Sequence, residues 1–152
     1  MKHYIFLVVF LVSTLSFSQS SEKDTVKAAI ERFFEGFHKQ DTLIMLEAVS
    51  KDIKMQSIGK NREGVTQLNT TEFQGFLNSI ISIPKDKPFR EEILDYTIQI
   101  DGDMAHVWTP YNFWFDNNFS HCGVNSFQLF KEKGNWKIIY LIDTRRRDCM
   151  QE

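Results

Sequence analysis

Two cysteines and a histidine are the residues of this sequence best suited to covalent chemistry. His121 directly precedes Cys122, and Cys149 is the second of the two cysteines. A histidine can activate a thiol as a nucleophile, whereas the cysteines of an exported chain commonly pair in a disulfide. Neighbouring residues of a strand point to opposite faces, so His121 and Cys122 would not easily share a hydrogen bond. We predict a Cys122–Cys149 disulfide, with the nucleophile as the alternative.

His121 is also a candidate catalytic residue of another kind. An unperturbed histidine has a pKa of about 6.5, which suits a general acid or base, and Tyr140 is its candidate partner. A histidine at a strand end can instead hydrogen-bond a neighbour and only shape a pocket, and both interpretations stay open. The four histidines and two cysteines have no spacing typical of a metal site, so we predict no metal and no cofactor.

The elements that must position these residues begin with helices. Apolar residues at the i, i+3, i+4, i+7 spacing predict a first helix with one buried face, formed by Val26, Ala29, Ile30, Phe33, Phe34 and Phe37. Asp41 is a candidate cap for a second helix. Thr71 and Gln74 have the spacing of a capping box for a third helix.

After Pro88 the pattern alternates and β-forming residues dominate, which predicts strands at residues 91–100, 104–115, 121–131 and 136–145. Short segments with hairpin turn chemistry join them. Helices followed by an antiparallel meander predict an α+β fold, with N-terminal helices packed on a strongly bent antiparallel β-sheet.

Pairing the strands predicts which residues face the helices. The Lys133–Gly134 turn would place Phe127 opposite Tyr140, and extending the register would place Trp114 opposite His121. The predicted ligand-binding residues on this inner face and the first helix are Phe33, Phe37, Trp108, Asn112, Trp114, His121, Asn125, Phe127, Tyr140 and Thr144. Such a mostly apolar surface with a few polar groups suits a small apolar or aromatic molecule. A single β-bulge would exchange the two faces of the sheet.

The first residues and the overall charge limit the location and the partners. Residues 1–18 resemble a secretory signal peptide, with a short apolar run between Lys2 and small residues at Ser16 and Ser18. We expect export to the periplasm or medium and a single domain at residues 19–152. The formal net charge of −2 gives no attraction to nucleic acid or anionic lipid. We expect no membrane association after cleavage.

Two segments, "AIERFFEGFHKQDTLIMLEAV" and "SFQLFKEKGNWKIIYLIDT", resemble the nuclear transport factor 2-like superfamily, and especially its SnoaL-like and "putative lumazine-binding" group of secreted bacterial proteins. The resemblance extends over residues 24–144. It implies a cone-shaped fold in which the helices and the bent sheet enclose a pocket. We also expect a homodimer that pairs through the outer face of the sheet.

The resemblance is not specific for a reaction, because this fold hosts many functions. The tyrosine and the general-base aspartate of the ketosteroid isomerases in this superfamily correspond to Phe33 and Gln56 here. Neither residue can take up a proton from a substrate, so ketosteroid isomerase activity is not expected.

Three hypotheses follow for function. The first is a secreted domain that binds a small molecule in an apolar or aromatic pocket without catalysis. The second is a cyclase-, isomerase- or dehydratase-type enzyme that uses His121 as its acid or base. The third is a protein-interaction module whose cone is filled by side chains.

Overall fold

The computed structural model describes the backbone of residues 2–149 and the side chains of residues 21–149. The predicted signal peptide, residues 1–18, lies outside the residues whose side chains are described. The helices of the described part are α1 Lys2–Lys39, α2 Thr42–Ala48 and α3 Phe73–Ile81. Among the described residues, no helix has both the length and the apolar character needed to cross a bilayer.

The helices form for the reasons that the sequence indicates, with one exception. The apolar stripe of α1 is buried, and Phe33 keeps only 2% of its surface exposed. Asp41 caps α2 as predicted, because its carboxylate accepts hydrogen bonds from the backbone N–H groups of Leu43 and Ile44 at 3.0 and 3.3 Å. The capping-box prediction for α3 is wrong. Glu72 precedes that helix and makes no side-chain capping bond.

The sheet contains seven strands in the described part of the chain. Their bounds are β1 Val49–Lys60, β2 Thr66–Thr71, β3 Phe89–Ile93, β4 Thr97–Asp101, β5 Met104–Phe115, β6 Asn118–Glu132 and β7 Asn135–Thr144. The order across the sheet is β2-β1-β7-β6-β5-β3, and β4 also pairs with β5. The α+β fold of helices on a curved sheet is confirmed. The sheet is mixed rather than wholly antiparallel, because β1 runs parallel to β7.

The predicted single strand at residues 91–100 is two short strands, β3 and β4, which pair with successive halves of β5. Between them, the backbone N–H of Leu94 donates to the carbonyl of Pro110 at 2.9 Å. Proline has no N–H to return to the ladder, so the partner of β5 is interrupted beside it.

Two β-bulges decide which residues face the helices. Ser120 is an extra residue of β6, because Trp114 pairs with Phe119 whereas Phe113 pairs with His121. Ile139 is an extra residue of β7 in the same way. Each bulge shifts the register by one residue and therefore exchanges the faces beyond it. The predicted pairings of Trp114 with His121 and of Phe127 with Tyr140 are wrong.

The C-terminal tail is fixed by the predicted disulfide, which is confirmed. Cys122 and Cys149 are bonded with their Cα atoms 6.0 Å apart. Cys122 also exchanges two backbone hydrogen bonds with Arg146, at 3.0 and 2.8 Å. The disulfide and the bridge together hold the chain after β7 against the end of β6.

Candidate functional site

A cavity of about 190 Å³ lies between the helices and the concave face of the sheet. Its aromatic lining comes from α1, α3 and β5 and consists of Phe33, Phe34, Phe37, Phe76 and Phe113. The Phe37 and Phe76 rings are stacked, with centroids 6.0 Å apart and planes within 8°. Met55, Ile80 and Leu141 complete the apolar wall. The cone is thus not filled by side chains, contrary to the premise of the third hypothesis.

Glu91 brings a carboxyl group into this apolar space. It lies on the inner face of β3, in the same phase as Phe89 and Ile93, and one of its oxygens accepts a hydrogen bond from Asn125 Nδ2 at 2.6 Å. The side chain keeps some accessible surface because it faces the cavity, yet the apolar walls remove most of its hydration. Burial raises the pKa of Glu91 from 4.5 to about 7, and the Asn125 hydrogen bond only partly opposes the rise.

A second cluster of polar side chains surrounds Asp143 of β7. Tyr111 donates its hydroxyl proton to the carbonyl of Thr144 at 3.0 Å, and this hydroxyl lies 3.3 Å from Asp143 Oδ2. The same carboxylate oxygen accepts from Arg145 Nε at 2.8 Å. Burial raises the pKa of the Tyr111 hydroxyl, and the charge of Asp143 raises it further. Tyr111 therefore stays protonated and Asp143 has a cationic partner.

Gly123 makes this arrangement possible. A Cβ atom at this position would lie 1.8 Å from the Thr144 carbonyl oxygen and 2.9 Å from the ring of Tyr111. Only glycine allows β6 to approach this closely.

His121 lines the cavity next to the aromatic wall. Its ring is stacked against Phe113 with centroids 4.9 Å apart, and its Nδ1 lies 3.1 Å from the Ser120 hydroxyl. Burial lowers the pKa of His121, and the nearby positive charge of Arg145 lowers it further. The imidazole is thus mainly neutral near pH 7 and offers both a donor and an acceptor nitrogen.

The family model described as "Putative lumazine-binding" matches residues 21–140. The chain belongs to this family. The search of curated proteins found no match.

Solved structures of low sequence identity share the fold of this family member. An NTF2-like protein of unknown function from Shewanella baltica has a TM-score of 0.61 and 20% identity, over 85% of this chain and 97% of that one. An NTF2-like protein with a cystatin-like fold from Novosphingobium aromaticivorans has a TM-score of 0.66 and 11% identity, over 91% of this chain and 90% of that one. A "putative dehydratase" of the NTF2-like family from Streptomyces avermitilis has a TM-score of 0.59 and 12% identity, over 84% and 98%. The predicted superfamily is confirmed.

Some of the residues predicted for the site line the cavity, namely Phe33, Phe37, His121 and Asn125. Phe127 is fully buried in the core, where its ring packs against Phe33 with centroids 6.4 Å apart. The remaining predicted site residues do not line the cavity: Trp108, Asn112, Trp114, Tyr140 and Thr144. The two bulges are the physical reason, since the predicted strand pairing assumed regular ladders.

Several of these residues have other contacts on the sheet. Trp114 donates its indole N–H to Glu92 at 3.2 Å. Tyr140 donates its hydroxyl proton to the side chain of Gln56, and the Thr144 hydroxyl accepts from the backbone N–H of Val124 at 3.1 Å. The partnership of His121 with Tyr140 therefore has no geometric support. Tyr111 is the tyrosine beside His121, with ring centroids 5.8 Å apart.

The cavity's most distinctive polar residues were missed by the sequence prediction: Glu91, Tyr111, Asp143 and Arg145. The sequence pattern could have indicated Glu91. It alternates with Phe89 and Ile93 and therefore occupies an inward-facing position on a strand whose other inward-facing residues are apolar. An acidic residue at such a position is typical of a site rather than of a sheet surface. No comparable signal exists for Asp143, whose face depends on the bulge at Ile139.

The positions compared with ketosteroid isomerases have no acid–base group. Phe33 is part of the aromatic wall, and the Gln56 amide donates to Thr70 at 3.0 Å. Among residues 21–149, no cluster of three or more histidine, cysteine, aspartate or glutamate side chains is arranged to hold a metal ion.

Proposed function

We propose that this protein binds a small, mainly apolar or aromatic molecule in the cavity of the cone. The observation that carries the proposal is the arrangement of the lining, in which phenylalanine rings form the walls and polar groups meet at one end. Apolar burial supplies affinity in such a site, and a few fixed polar groups orient the ligand. A flat ring system would pack against the phenylalanine walls, with its polar edge toward Glu91, Asn125 and His121.

The polar end is held in place before any ligand arrives. The backbone N–H of Glu91 donates to His38 Nε2 of α1 at 2.9 Å, which ties β3 to the first helix. Asn125 is fixed by its bond to the Glu91 carboxyl, and Tyr111 by its bond to the Thr144 carbonyl. Preorganised groups of this kind lower the entropic cost of binding.

A substitution that fills the cavity tests this proposal. Ser57 lines the cavity on β1, whereas Asn69, its exposed partner on β2, does not. Ser57→Leu should weaken binding of an aromatic probe such as benzyl alcohol at least tenfold, and Asn69→Leu should leave it unchanged. Native mass spectrometry of the purified protein would show any retained ligand, and NMR titration would give the affinities. Equal affinities for both variants, or no binding to the unaltered protein, would refute the pocket.

A second candidate function is acid–base catalysis on the bound molecule. The observation that favours it is the pKa of Glu91 near 7, which lets one carboxyl group both accept and donate a proton at neutral pH. The neutral imidazole of His121 also lines the cavity and supplies a hydrogen-bond donor for a substrate oxygen. The similar fold of a protein named "putative dehydratase" is compatible with this candidate.

Deuterium uptake by a small ketone distinguishes the enzyme hypothesis from the carrier hypothesis. An enolisable ketone such as cyclohexanone, incubated with the protein in D₂O, should gain deuterium faster than in buffer if the cavity transfers protons. In the enzyme, Glu91→Gln should abolish the acceleration, and His121→Ala would show whether the imidazole is the acid or base expected from sequence. In a carrier, neither variant changes the exchange rate, and His121→Ala only weakens binding.

Two further expectations from the sequence remain proposals. Export to the periplasm or medium is supported by the Cys122–Cys149 disulfide, because disulfides persist in oxidising compartments. Pairing as a homodimer through the outer face of the sheet is supported by Trp108, which is 45% exposed in the middle of β5.

A further inference from the structure

The charges around the cavity do not cancel. The charged residues that line it are two acids, Glu91 and Asp143, and one base, Arg145. Arg145 forms its ion pair with Asp143, at 2.8 Å between Nε and Oδ2. Glu91 forms no salt bridge with any lysine, arginine or histidine among residues 21–149. When Glu91 ionises, no cationic side chain in this range is paired with its negative charge.

The second oxygen of the Glu91 carboxyl is available to a ligand. Oε1 accepts from Asn125 Nδ2, whereas Oε2 makes no hydrogen bond within the described part of the chain. Glu91 also lines the cavity. A buried carboxylate without a cationic partner is unfavourable, so a ligand that brings a positive charge gains both the ion pair and the relief of that cost.

The aromatic lining favours the same kind of ligand. Phe37 and Phe113 line the cavity near Glu91, and Phe113 is its direct partner on the neighbouring strand. The face of an aromatic ring attracts a cation within about 6 Å, and this attraction grows when water is excluded.

We propose that the ligand of this cavity is a small organic cation, a protonated amine on an apolar or aromatic body. The ammonium group donates to Glu91 Oε2, and the body packs against the phenylalanine rings. This inference rests on the proposed binding function and narrows it to a chemical class.

The other ionisable groups around Glu91 do not supply the missing charge. Asp143 and Arg145, from β7 and the residue after it, neutralise each other. Burial lowers the pKa of His38 on α1 and of His121 on β6, so both imidazoles are mainly neutral at pH 7 and above. Tyr111 on β5 stays protonated, because burial raises the pKa of its hydroxyl.

Benzylamine and benzyl alcohol test the proposal, because they share size and shape but differ in charge. On the purified, oxidised protein at pH 8, calorimetric titration should show benzylamine binding at least tenfold more tightly than benzyl alcohol. Glu91→Gln should remove this preference. The matched control is Glu92→Gln, which alters the exposed neighbour on the opposite face of β3 and should keep the preference.

The pH dependence gives a second measurement that needs no variant. Benzylamine should bind about tenfold more tightly at pH 8 than at pH 6, because the ionised fraction of Glu91 rises about tenfold across a pKa of about 7. Benzyl alcohol should show little change. If benzyl alcohol binds as tightly as benzylamine, or if Glu91→Gln keeps the preference, the cation proposal is wrong and the pocket proposal stands. If neither probe binds, both proposals are wrong.

Discussion

Asn125 Nδ2 lies 2.6 Å from Glu91 Oε1, so an amide of β6 and a carboxyl of β3 meet across the strand between them. The contact joins residues 34 positions apart in the sequence. It leaves the carboxyl hydrogen-bonded but without a cation. Such a group is costly to ionise and therefore remains partly protonated near pH 7.

Glu91 should make the stability of the fold depend on pH. Its folded-state pKa, about 7, lies above its ordinary value of 4.5, so the folded protein binds the proton more tightly than the unfolded chain does. The free energy of unfolding should therefore lose a contribution progressively as the pH rises from about 4.5 to about 7, and stay level above that. The full difference amounts to at most about 3 kcal/mol.

Glu91→Gln isolates this contribution, because glutamine keeps the acceptor for Asn125 and cannot ionise. The variant should be about 1–3 kcal/mol more stable than the unaltered protein at pH 8 and about equally stable at pH 4. Urea unfolding at both pH values measures the difference, and Glu92→Gln serves as the control on the exposed face of the strand. A stability difference that is the same at both pH values would contradict the raised pKa.

Gly123→Ala should destabilise the protein because β6 has no room for a methyl group there. The added Cβ would lie 1.8 Å from the Thr144 carbonyl oxygen, which must move and take its hydrogen bond from Tyr111 with it. We expect a loss of about 1–3 kcal/mol in the free energy of unfolding, as for other overpacked sites. Gly59→Ala is the control, since nothing lies within 4 Å of a Cβ atom at Gly59. Equal urea midpoints for the two variants would show that this close approach is not required.

The disulfide should contribute to stability through the unfolded chain. It joins residues 27 positions apart, and a closed loop of this length corresponds to about 3 kcal/mol in the chain-entropy model. The double variant Cys122→Ser, Cys149→Ser should unfold at a correspondingly lower urea concentration. The unaltered protein treated with dithiothreitol should match the double variant. If reduction leaves the midpoint unchanged, the hydrogen bonds between Cys122 and Arg146 hold the tail without the disulfide.

Short sequence patterns predicted the elements whose formation depends mainly on residues close together in the chain. The apolar stripe from Val26 to Phe37 predicted α1, and Asp41 predicted the start of α2. The register that the Lys133–Gly134 turn predicts holds close to the turn, where Leu129 lies opposite Ile138. The disulfide prediction followed from the expected export of the chain and from strand alternation, which places His121 and Cys122 on opposite faces.

The candidate site depends on features that local signals do not report. Ser120 and Ile139 become extra residues of their strands, although neither is a glycine or a proline that would indicate a bulge. Sheet curvature decides where bulges form, and it is a property of the whole sheet. A regular ladder would place Asp143 on the outer face of the sheet, whereas it lines the cavity. The raised pKa of Glu91 likewise depends on burial in a cavity whose apolar walls come from five elements, α1, α3, β1, β5 and β7.

The same bulges change which residues are available for the predicted homodimer. Without the bulge at Ser120, Tyr111 and Phe113 would face outward, but they line the cavity, and Trp108, expected inside, is 45% exposed. If the outer face pairs with a second copy, Trp108 is its best anchor, because tryptophan is enriched in the buried centres of interfaces. Trp108→Glu should then convert a dimer to a monomer in size-exclusion chromatography with light scattering. Leu46→Glu, at a similarly exposed apolar residue of α2, should leave the mass unchanged, and a monomeric unaltered protein would refute the interface.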